Sequence, residues 1–272
     1  MHQEQCTTLT VLDNVPFGTV SGESLFFALR IERPEWKNWE PGQFVMLRPE
    51  GWALDMMWAR PFSICRVSKR DLVLFFQVVG RGTKRLAELK SGDKVVVWGP
   101  LGTPFTVEQG TPTLLLAGGI GIAPLVAYAQ KHPQPWNLHM EFGHRVPLNC
   151  YPFESINERI TAASHFERGP EDLAHFLDLV ETSVKEYAES NGLVLACGPT
   201  PFLKAVQGFA AKYNARCQLS LENRMACGVG ACLGCVTKTT DKMTAKCVAA
   251  GRAQACEHGP VFWADQIILD EE

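Results

Sequence analysis

Three cysteines near the C-terminal end are spaced as ligands of an iron–sulfur cluster. Cys227, Cys232 and Cys235 form the pattern C-x4-C-x2-C, which is the spacing of plant-type [2Fe–2S] ferredoxins. Three thiolates must converge on two irons, so the chain has to wrap tightly around them. Interleaved glycines permit that path and let backbone N–H groups approach the sulfur atoms: Gly228, Gly230 and Gly234. The segment therefore predicts a [2Fe–2S] site whose reduction potential depends partly on hydrogen bonds to sulfur.

A cluster of this type needs a fourth, more distant cysteine. Two candidates follow the loop, Cys247 and Cys256, and the spacing alone leaves both open. A zinc site is the main alternative, but zinc sites usually use paired C-x2-C spacings. The pattern therefore favours iron–sulfur ligation over zinc, and over buried inert thiols.

A strand and a glycine turn upstream form a candidate pyrophosphate site. The strand begins with Arg60-Pro61-Phe62-Ser63, and the turn Gly80-Arg81-Gly82-Thr83 leads into a helical segment. The turn offers backbone N–H groups and a hydroxyl to a phosphate, and the Arg60 guanidinium can add a bidentate contact. The strand between them carries side chains that could lie along a flavin ring, although barrel core is their ordinary role: Phe75, Phe76 and Gln77.

Two further strands end in glycine turns that suit a nicotinamide nucleotide. An apolar strand runs into Gly118-Gly119-Ile120-Gly121 and a helix, and a second ends at Cys197-Gly198-Pro199. Both turns follow the carboxyl ends of predicted parallel strands, where glycines let a pyrophosphate approach the backbone. The first turn is neither G-x-G-x-x-G nor a P-loop. We predict nucleotide contacts at Gly118, Gly119, Gly121, Cys197 and Gly198, although a buried cysteine is ordinarily just a small hydrophobe.

These motifs require supporting structure, and the patterns predict three domains in order. Residues 1–105 carry short runs of β-formers separated by turn residues, which is typical of a small antiparallel barrel, here expected to hold the flavin. Residues 106–220 alternate apolar strands with helices, as in a doubly wound α/β nucleotide-binding domain. Residues 221–272 are rich in Cys and Gly and too short for an independent core, so we expect a metal cluster to hold this module.

Composition places the chain among packed globular proteins. It has 272 residues, of which 46% are hydrophobic and 20% charged, and this excludes a disordered chain. The formal net charge of −3 argues against a nucleic-acid partner bound through a basic face. The uncharged stretch 109–130 contains glycines and prolines that favour a strand, a turn and a helix start over a membrane helix. No secretory signal is evident, so we expect a cytoplasmic protein with reduced thiols.

The order of these motifs resembles the ferredoxin–NADP reductase superfamily across residues 8–215. Beyond it, segments 222–232 and 256–262 are similar to the electron-transfer subunit of two-subunit dihydroorotate dehydrogenases. In that family the last cluster cysteine directly precedes an acidic-Asp-Gly-Pro-Val-Phe segment, which implies Cys256 rather than Cys247. This sequence departs from the pattern at His258, where Asp is usual, and in a longer gap before the fourth ligand.

The resemblance implies FAD in the barrel cleft, NAD(H) on the α/β domain and one [2Fe–2S] cluster. It also implies a partner subunit carrying FMN, where dihydroorotate is oxidised to orotate, and a heterotetramer. Because a flavin exchanges one or two electrons, the cofactors would form one path from the partner's FMN to NAD+. The chain would need no catalytic acid or base, and none is predicted. The implied FAD contacts are Arg60, Pro61, Phe62, Ser63, Phe75, Phe76, Gln77, Gly82 and Thr83.

Other functions share parts of this pattern. Subunits of sulfhydrogenases and NADPH:ferredoxin transhydrogenases have a similar layout with a different partner. A redox-sensing, cluster-carrying binding module is the non-enzyme alternative. The segment after Phe142-Gly143-His144-Arg145 should read the nucleotide ribose, and it offers Arg145 with no clear acidic neighbour. The sequence therefore leaves the choice between NAD and NADP open.

Overall fold

The structure, a computed structural model, describes residues 5–52, 56–244 and 251–269. Three sheets follow one another along the chain: a closed six-stranded barrel, a six-stranded sheet flanked by helices, and a three-stranded sheet. This confirms the predicted fold class, a β-barrel followed by a doubly wound α/β domain and a small C-terminal module.

The barrel brings the predicted flavin residues to one end of two neighbouring strands. It closes in the order β1-β2-β5-β4-β3-β6, with every neighbouring pair antiparallel. Because Ile64 of β4 lies opposite Leu74 of β5, the beginning of β4 lies beside the end of β5, and α1 follows directly. The elements are β1 (Gln5–Phe17), β2 (Phe26–Glu32), β3 (Phe44–Pro49), β4 (Arg60–Val67), β5 (Asp71–Gln77), α1 (Arg81–Ala87) and β6 (Lys94–Leu101).

The central sheet of the second domain has five parallel strands and one antiparallel strand. Its order is β14-β11-β10-β7-β8-β9, so the direction of strand addition reverses between the neighbours β7 and β10, where α/β proteins bind ligands. The elements are β7 (Thr113–Gly118), α2 (Ile122–Lys131), β8 (Leu138–His144), α3 (Phe153–Asn157), β9 (Thr161–Phe166), α4 (Pro170–Glu189), β10 (Leu193–Cys197), α5 (Thr200–Tyr213), β11 (Arg216–Ser220) and β14 (Val261–Trp263).

Alternate residues of the buried strand β7 pack into two different cores. Leu115 and Ala117 join the core that contains α2 and α3, whereas Leu114 and Leu116 join the core that contains α4 and α5. Strands covered on both faces are almost continuously apolar, which explains the unbroken hydrophobic run in the sequence. Within the described ranges, no helix has the length and apolar character needed to cross a bilayer.

The C-terminal part is fastened to both other domains by protein contacts. Its own antiparallel sheet has the order β13-β12-β15, formed by β12 (Val236–Thr239), β13 (Arg252–Gln254) and β15 (Ile267–Ile268). Strand β14 lies between β13 and β15 in the sequence but pairs with β11 of the α/β domain. The Thr103 hydroxyl donates to Val261 O at 2.9 Å, and Gln207 Nε2 donates to Ile267 O at 2.9 Å. The sequence analysis expected a metal cluster to hold this segment and did not predict these protein contacts.

Candidate cofactor sites

A cavity of about 840 Å³, here called the central cavity, lies where the barrel, the α/β domain and the C-terminal part meet. Ile120, Ala123, Pro199 and Ser220 line its α/β side, and residues 221–226 line the side of the C-terminal part. Its volume is in the range of cofactor sites. The barrel wall contains eight of the nine predicted flavin residues: Arg60, Pro61, Phe62, Ser63, Phe75, Phe76, Gln77 and Thr83.

The ninth predicted flavin residue, Gly82, packs against the Arg60 side chain. Gly82 is buried, and a Cβ atom there would lie 2.9 Å from Arg60 Nε. Arg60 Nη1 donates to Trp58 O at 2.6 Å, and the guanidinium lies 5.6 Å from the centre of the Trp52 ring. These contacts hold a positive charge at the edge of the cavity beside the first turn of α1. A guanidinium and free backbone N–H groups together suit a pyrophosphate.

The Thr83 hydroxyl forms its hydrogen bonds within its own turn. Thr83 Oγ1 accepts from the backbone N–H groups of Val79 at 2.9 Å and Gly80 at 3.2 Å, and it donates to Gly80 O at 3.1 Å. Local bonds of this kind stabilise turns and helix starts. In this structure the hydroxyl therefore shapes the turn, a role that the sequence analysis did not foresee.

We expect Arg60→Gln to weaken FAD binding at least about tenfold, because charge-assisted hydrogen bonds to phosphate are each worth about 1.5–3 kcal/mol. Fluorescence titration of FAD into flavin-free protein measures the affinity. Arg70→Gln, which removes an exposed arginine from a distant turn of the barrel, is the matched control. An unchanged affinity in Arg60→Gln would refute the assignment of the pyrophosphate to this edge.

The predicted nucleotide residues meet where β7 and β10 end, and we call them the nucleotide patch: Gly118, Gly119, Gly121, Cys197 and Gly198. Ala117 lies opposite Cys197 in the parallel register. A Cβ atom on Gly121 would collide with the Cys197 carbonyl, and one on Gly198 would lie 3.1 Å from Gly118 Cα. The glycines therefore allow the two turns to touch. Ile120 and Pro199 beside them line the central cavity, so a nucleotide on this patch would face a flavin.

Cys197 is a buried member of the patch, and an acidic residue that the sequence analysis missed, Glu222, lies near it. Cys197 is 1% exposed, and burial raises its pKa well above the ordinary value, with the Glu222 carboxylate acting in the same direction. Glu222 lines the central cavity, and burial raises its pKa too. One signal was available, because Glu222 follows closely on β11 and ligands gather at the carboxyl ends of parallel strands.

The four predicted cluster cysteines converge as two pairs. The Sγ atoms of Cys235 and Cys256 are 3.2 Å apart and both residues are buried, while Cys227 and Cys232 form a side-chain hydrogen bond. The alternative ligand, Cys247, lies outside the described residues. Among the residues that are described, no three Cys, His, Asp or Glu side chains are placed to hold one metal ion. Two thiol pairs fit a cluster of two irons better than a single zinc.

Each of the four sulfur atoms accepts a hydrogen bond from at least one backbone N–H group. Such bonds favour the thiolate form that iron requires, and they are typical of iron–sulfur sites. The four sulfur atoms and their N–H donors therefore fit a [2Fe–2S] cluster, as the cysteine spacing does. The donors are Val229 N to Cys227, Gly230 N to Cys256, Gly234 N to Cys232 and Cys256 N to Cys235, at 3.2–3.4 Å.

The pKa shifts of the cluster cysteines differ from those of the buried cysteines elsewhere in the described chain. The N–H groups of Cys227 and Gly234 lower the pKa of Cys232. The hydrogen bond between the Cys235 and Cys256 Sγ atoms lowers the pKa of Cys235, which is the more acidic thiol of the pair, and raises the pKa of Cys256. Burial instead raises the pKa of Cys65 to about 12, so that thiol stays neutral at physiological pH.

The cluster loop, residues 227–235, adjoins the wall of the central cavity. Met225 and Ala226 line the cavity, and Cys227 follows directly. Trp98 Nε1 of β6 donates to Cys227 O at 3.2 Å, which ties the loop to the barrel. The first cysteine is thus one residue away from the cavity, so bound flavin and cluster would be near neighbours.

Comparison with known sequences agrees with this arrangement. A family model for the iron–sulfur cluster binding domain of dihydroorotate dehydrogenase B matches residues 222–268. A protein of Caldanaerobacter subterraneus subsp. tengcongensis described as dihydroorotate dehydrogenase B (NAD(+)), electron transfer subunit, is 35% identical, with 86% of this chain and 90% of the relative covered. A protein of Clostridium acetobutylicum with the same description is 32% identical, with 85% and 87% covered.

Solved structures share the fold at lower sequence identity. An NADH-dependent reduced ferredoxin-NADP oxidoreductase, studied for flavin-based electron bifurcation, has a TM-score of 0.75 at 22% identity, with 96% of this chain and 90% of that chain covered. Ferredoxin-NADP+ reductase from Plasmodium falciparum has a TM-score of 0.64 at 13% identity, with 76% and 90% covered. The second match covers less of this chain.

Proposed function

Because this chain belongs to the family of dihydroorotate dehydrogenase B electron transfer subunits, we propose that it carries electrons from a partner subunit to NAD+. In this proposal the partner holds FMN and oxidises dihydroorotate to orotate in pyrimidine biosynthesis. The observation that carries the proposal is the central cavity, because its walls adjoin both the cluster loop and the nucleotide patch. The chain is an oxidoreductase subunit that works with its partner.

Barrel residues would bind and orient FAD, which exchanges either one or two electrons when bound. Arg60 and the first turn of α1 would hold the pyrophosphate, and the β4 and β5 side chains would line the ring. Ile120 and Pro199 close the cavity on the side of the α/β domain, next to the nucleotide patch. The protein's contribution is to position NAD(H) against the flavin and to limit the access of water.

The cluster loop would hold a [2Fe–2S] cluster, a one-electron carrier, through Cys227, Cys232, Cys235 and Cys256. The two pairs differ in burial, since Cys235 and Cys256 are buried while Cys232 is exposed. Leu233 beside Cys232 is 66% exposed. The exposed side of the loop therefore suits the docking of a partner, and the buried side faces the protein. We further propose that the protein works in a heterotetramer, which the resemblance implies. We also propose that it is located in the cytoplasm, where thiolate ligands stay reduced.

Reconstitution with the partner subunit tests this function. We expect the full chain, loaded with FAD and cluster, to support NAD+ reduction when dihydroorotate is added with the FMN-containing subunit. The partner alone, with NAD+ and dihydroorotate, is the control. A complex that forms but reduces ferredoxin rather than NAD+ would indicate the transhydrogenase alternative. Protein that binds a cluster but neither FAD nor NADH would indicate a redox-sensing module.

A further inference from the structure

A second cavity of about 380 Å³, here called the side cavity, lies between α5 and the three-stranded sheet of the C-terminal part. Thr200 and Leu203 line it from α5, and residues 236–238 line it from β12. Residues 221–223 line both this cavity and the central cavity. The volume of the side cavity falls in the range of small-ligand sites, and none of the FAD, nucleotide or cluster residues proposed above lines it.

Two cations face each other on the sheet wall of the side cavity. Lys238 of β12 lies opposite Arg252 of β13 in the antiparallel register, and both residues line the cavity. Side chains paired in this way project from the same face of a sheet, and like charges there destabilise the pair. Arg252 forms no ion pair with any residue that the structure describes. An anion bound between the two cations would offset their repulsion, so the pair itself points to a negatively charged ligand.

The other polar groups leave the side cavity with net positive charge. Glu222 supplies the only carboxylate among the described lining residues, so the two cations exceed it by one charge. Thr200 and Thr237 add hydroxyl groups that can donate hydrogen bonds. A phosphate monoester carries about 1.5–2 negative charges at pH 7, whereas a carboxylate carries one. The facing cations therefore match a phosphate better than a carboxylate.

An apolar surface continues from the cation pair. Ile268 of β15 lies opposite Lys238 on the other side of β12, so Arg252, Lys238 and Ile268 form a row across three strands. Ile268 is 44% exposed, and it lines the side cavity together with the buried Leu203 and Leu221. Apolar side chains beside two cations favour a ligand that has an apolar part as well as a charged part.

We propose that the side cavity binds a small organic phosphate, with the phosphate group on Lys238 and Arg252 and the apolar part against Leu203 and Ile268. Arg252 can donate two parallel hydrogen bonds to phosphate oxygens, and Lys238 adds a compact charge. The occupant would also touch residues 221–223, which line the central cavity as well. The site is distinct from the FAD and NAD(H) sites, and it does not depend on the oxidation of dihydroorotate.

Calorimetric titration of phenyl phosphate into the full chain, loaded with FAD and cluster, tests the proposal. NAD+ is kept in excess so that the nucleotide patch is occupied. We expect a dissociation constant of about 1 mM or lower. Inorganic phosphate lacks the apolar part and should bind at least about fivefold more weakly. Arg252→Gln and Lys238→Gln should each weaken the binding of phenyl phosphate at least about tenfold. Arg70→Gln and Lys185→Gln remove exposed cations from a barrel turn and from α4, and these matched controls should bind as the wild type does.

Thermal unfolding separates ligand binding from a structural role of the cations. Because the facing charges repel, ligand-free Arg252→Gln should unfold at the same temperature as the wild type or at a higher one. Phenyl phosphate should raise the unfolding temperature of the wild type and leave that of Arg252→Gln unchanged. A lower unfolding temperature in ligand-free Arg252→Gln would overturn the proposal.

Three results of the titration would also overturn it. The first is a wild type that does not bind phenyl phosphate, and the second is a wild type that binds phenyl phosphate and inorganic phosphate equally well. The third is an unchanged affinity for phenyl phosphate in both Arg252→Gln and Lys238→Gln. Because the titration needs no partner subunit, failure of dihydroorotate-dependent turnover would leave this test intact.

Discussion

Replacing Cys232 by serine is expected to remove the cluster and to cut electron transfer to the partner subunit at least about 100-fold. A serine hydroxyl does not ionise at neutral pH, so one of the four proposed iron ligands is lost. The lowered pKa of the Cys232 thiol shows that its surroundings favour the thiolate form, and serine cannot use that environment. Iron analysis and dihydroorotate-dependent NAD+ reduction measure the two effects.

Part of the activity should survive this substitution. NADH oxidation by an artificial acceptor needs only the flavin, and the proposed FAD contacts lie on barrel elements rather than on the cluster loop. Cys6→Ser, which replaces another exposed cysteine, should keep both the iron and the transfer activity. Normal iron content in Cys232→Ser would show that Cys232 is not a ligand.

Replacing Gly121 by alanine is expected to lower the free energy of unfolding by about 3 kcal/mol and to abolish flavin reduction by NADH. The new methyl group would meet the backbone of Cys197 and Gly198 rather than a flexible side chain. The two turns of the nucleotide patch would have to separate. Urea unfolding and anaerobic stopped-flow reduction of the flavin measure the two losses.

A glycine in a different environment gives a control of opposite sign. Gly208 lies within α5 and has open space where a Cβ atom would go. Gly208→Ala should therefore stabilise the protein by up to about 1 kcal/mol, because alanine favours the helix, and should leave flavin reduction unchanged. Wild-type stability and flavin reduction in Gly121→Ala would mean that the turns do not depend on their close contact.

Sequence reasoning predicted the features for which the chemistry allows only a few residue types within a short segment. The cysteine loop, the apolar strand before Gly118 and the strand that begins at Arg60 all carry such local signals. The buried parallel strands of the α/β domain were likewise evident, because strands covered on both faces read as continuous apolar runs. The fold class followed from the order in which these segments occur.

The features that sequence reasoning missed depend on distant parts of the chain. Glu167 follows β9 whereas Arg145 follows β8, and only the parallel pairing of β8 with β9 brings the two side chains together. Glu222 lines the central cavity because the segment that joins β11 to the cluster loop runs along the cavity wall. The C-terminal part is likewise held by the pairing of β14 with β11, which is a long-range contact that no local pattern predicts.

The assignment of Cys256 as the fourth cluster ligand shows how far the spacing of cysteines in the sequence can go. Spacing left Cys247 and Cys256 open, and only the resemblance favoured Cys256. In the structure Cys256 Sγ lies 3.2 Å from Cys235 Sγ and accepts the N–H of Gly230. The assignment stays a prediction, now supported by a tertiary contact that spacing could not supply.

The central claim is that flavin and cluster are neighbours on one electron path, and one spectroscopic measurement tests it most directly. Protein prepared without air should contain about two irons per chain. After NADH is added, electron paramagnetic resonance should show a reduced [2Fe–2S] cluster in the FAD-loaded chain and no such signal in the FAD-free chain. A signal that appears without FAD, or a chain that contains zinc and no iron, would contradict the account.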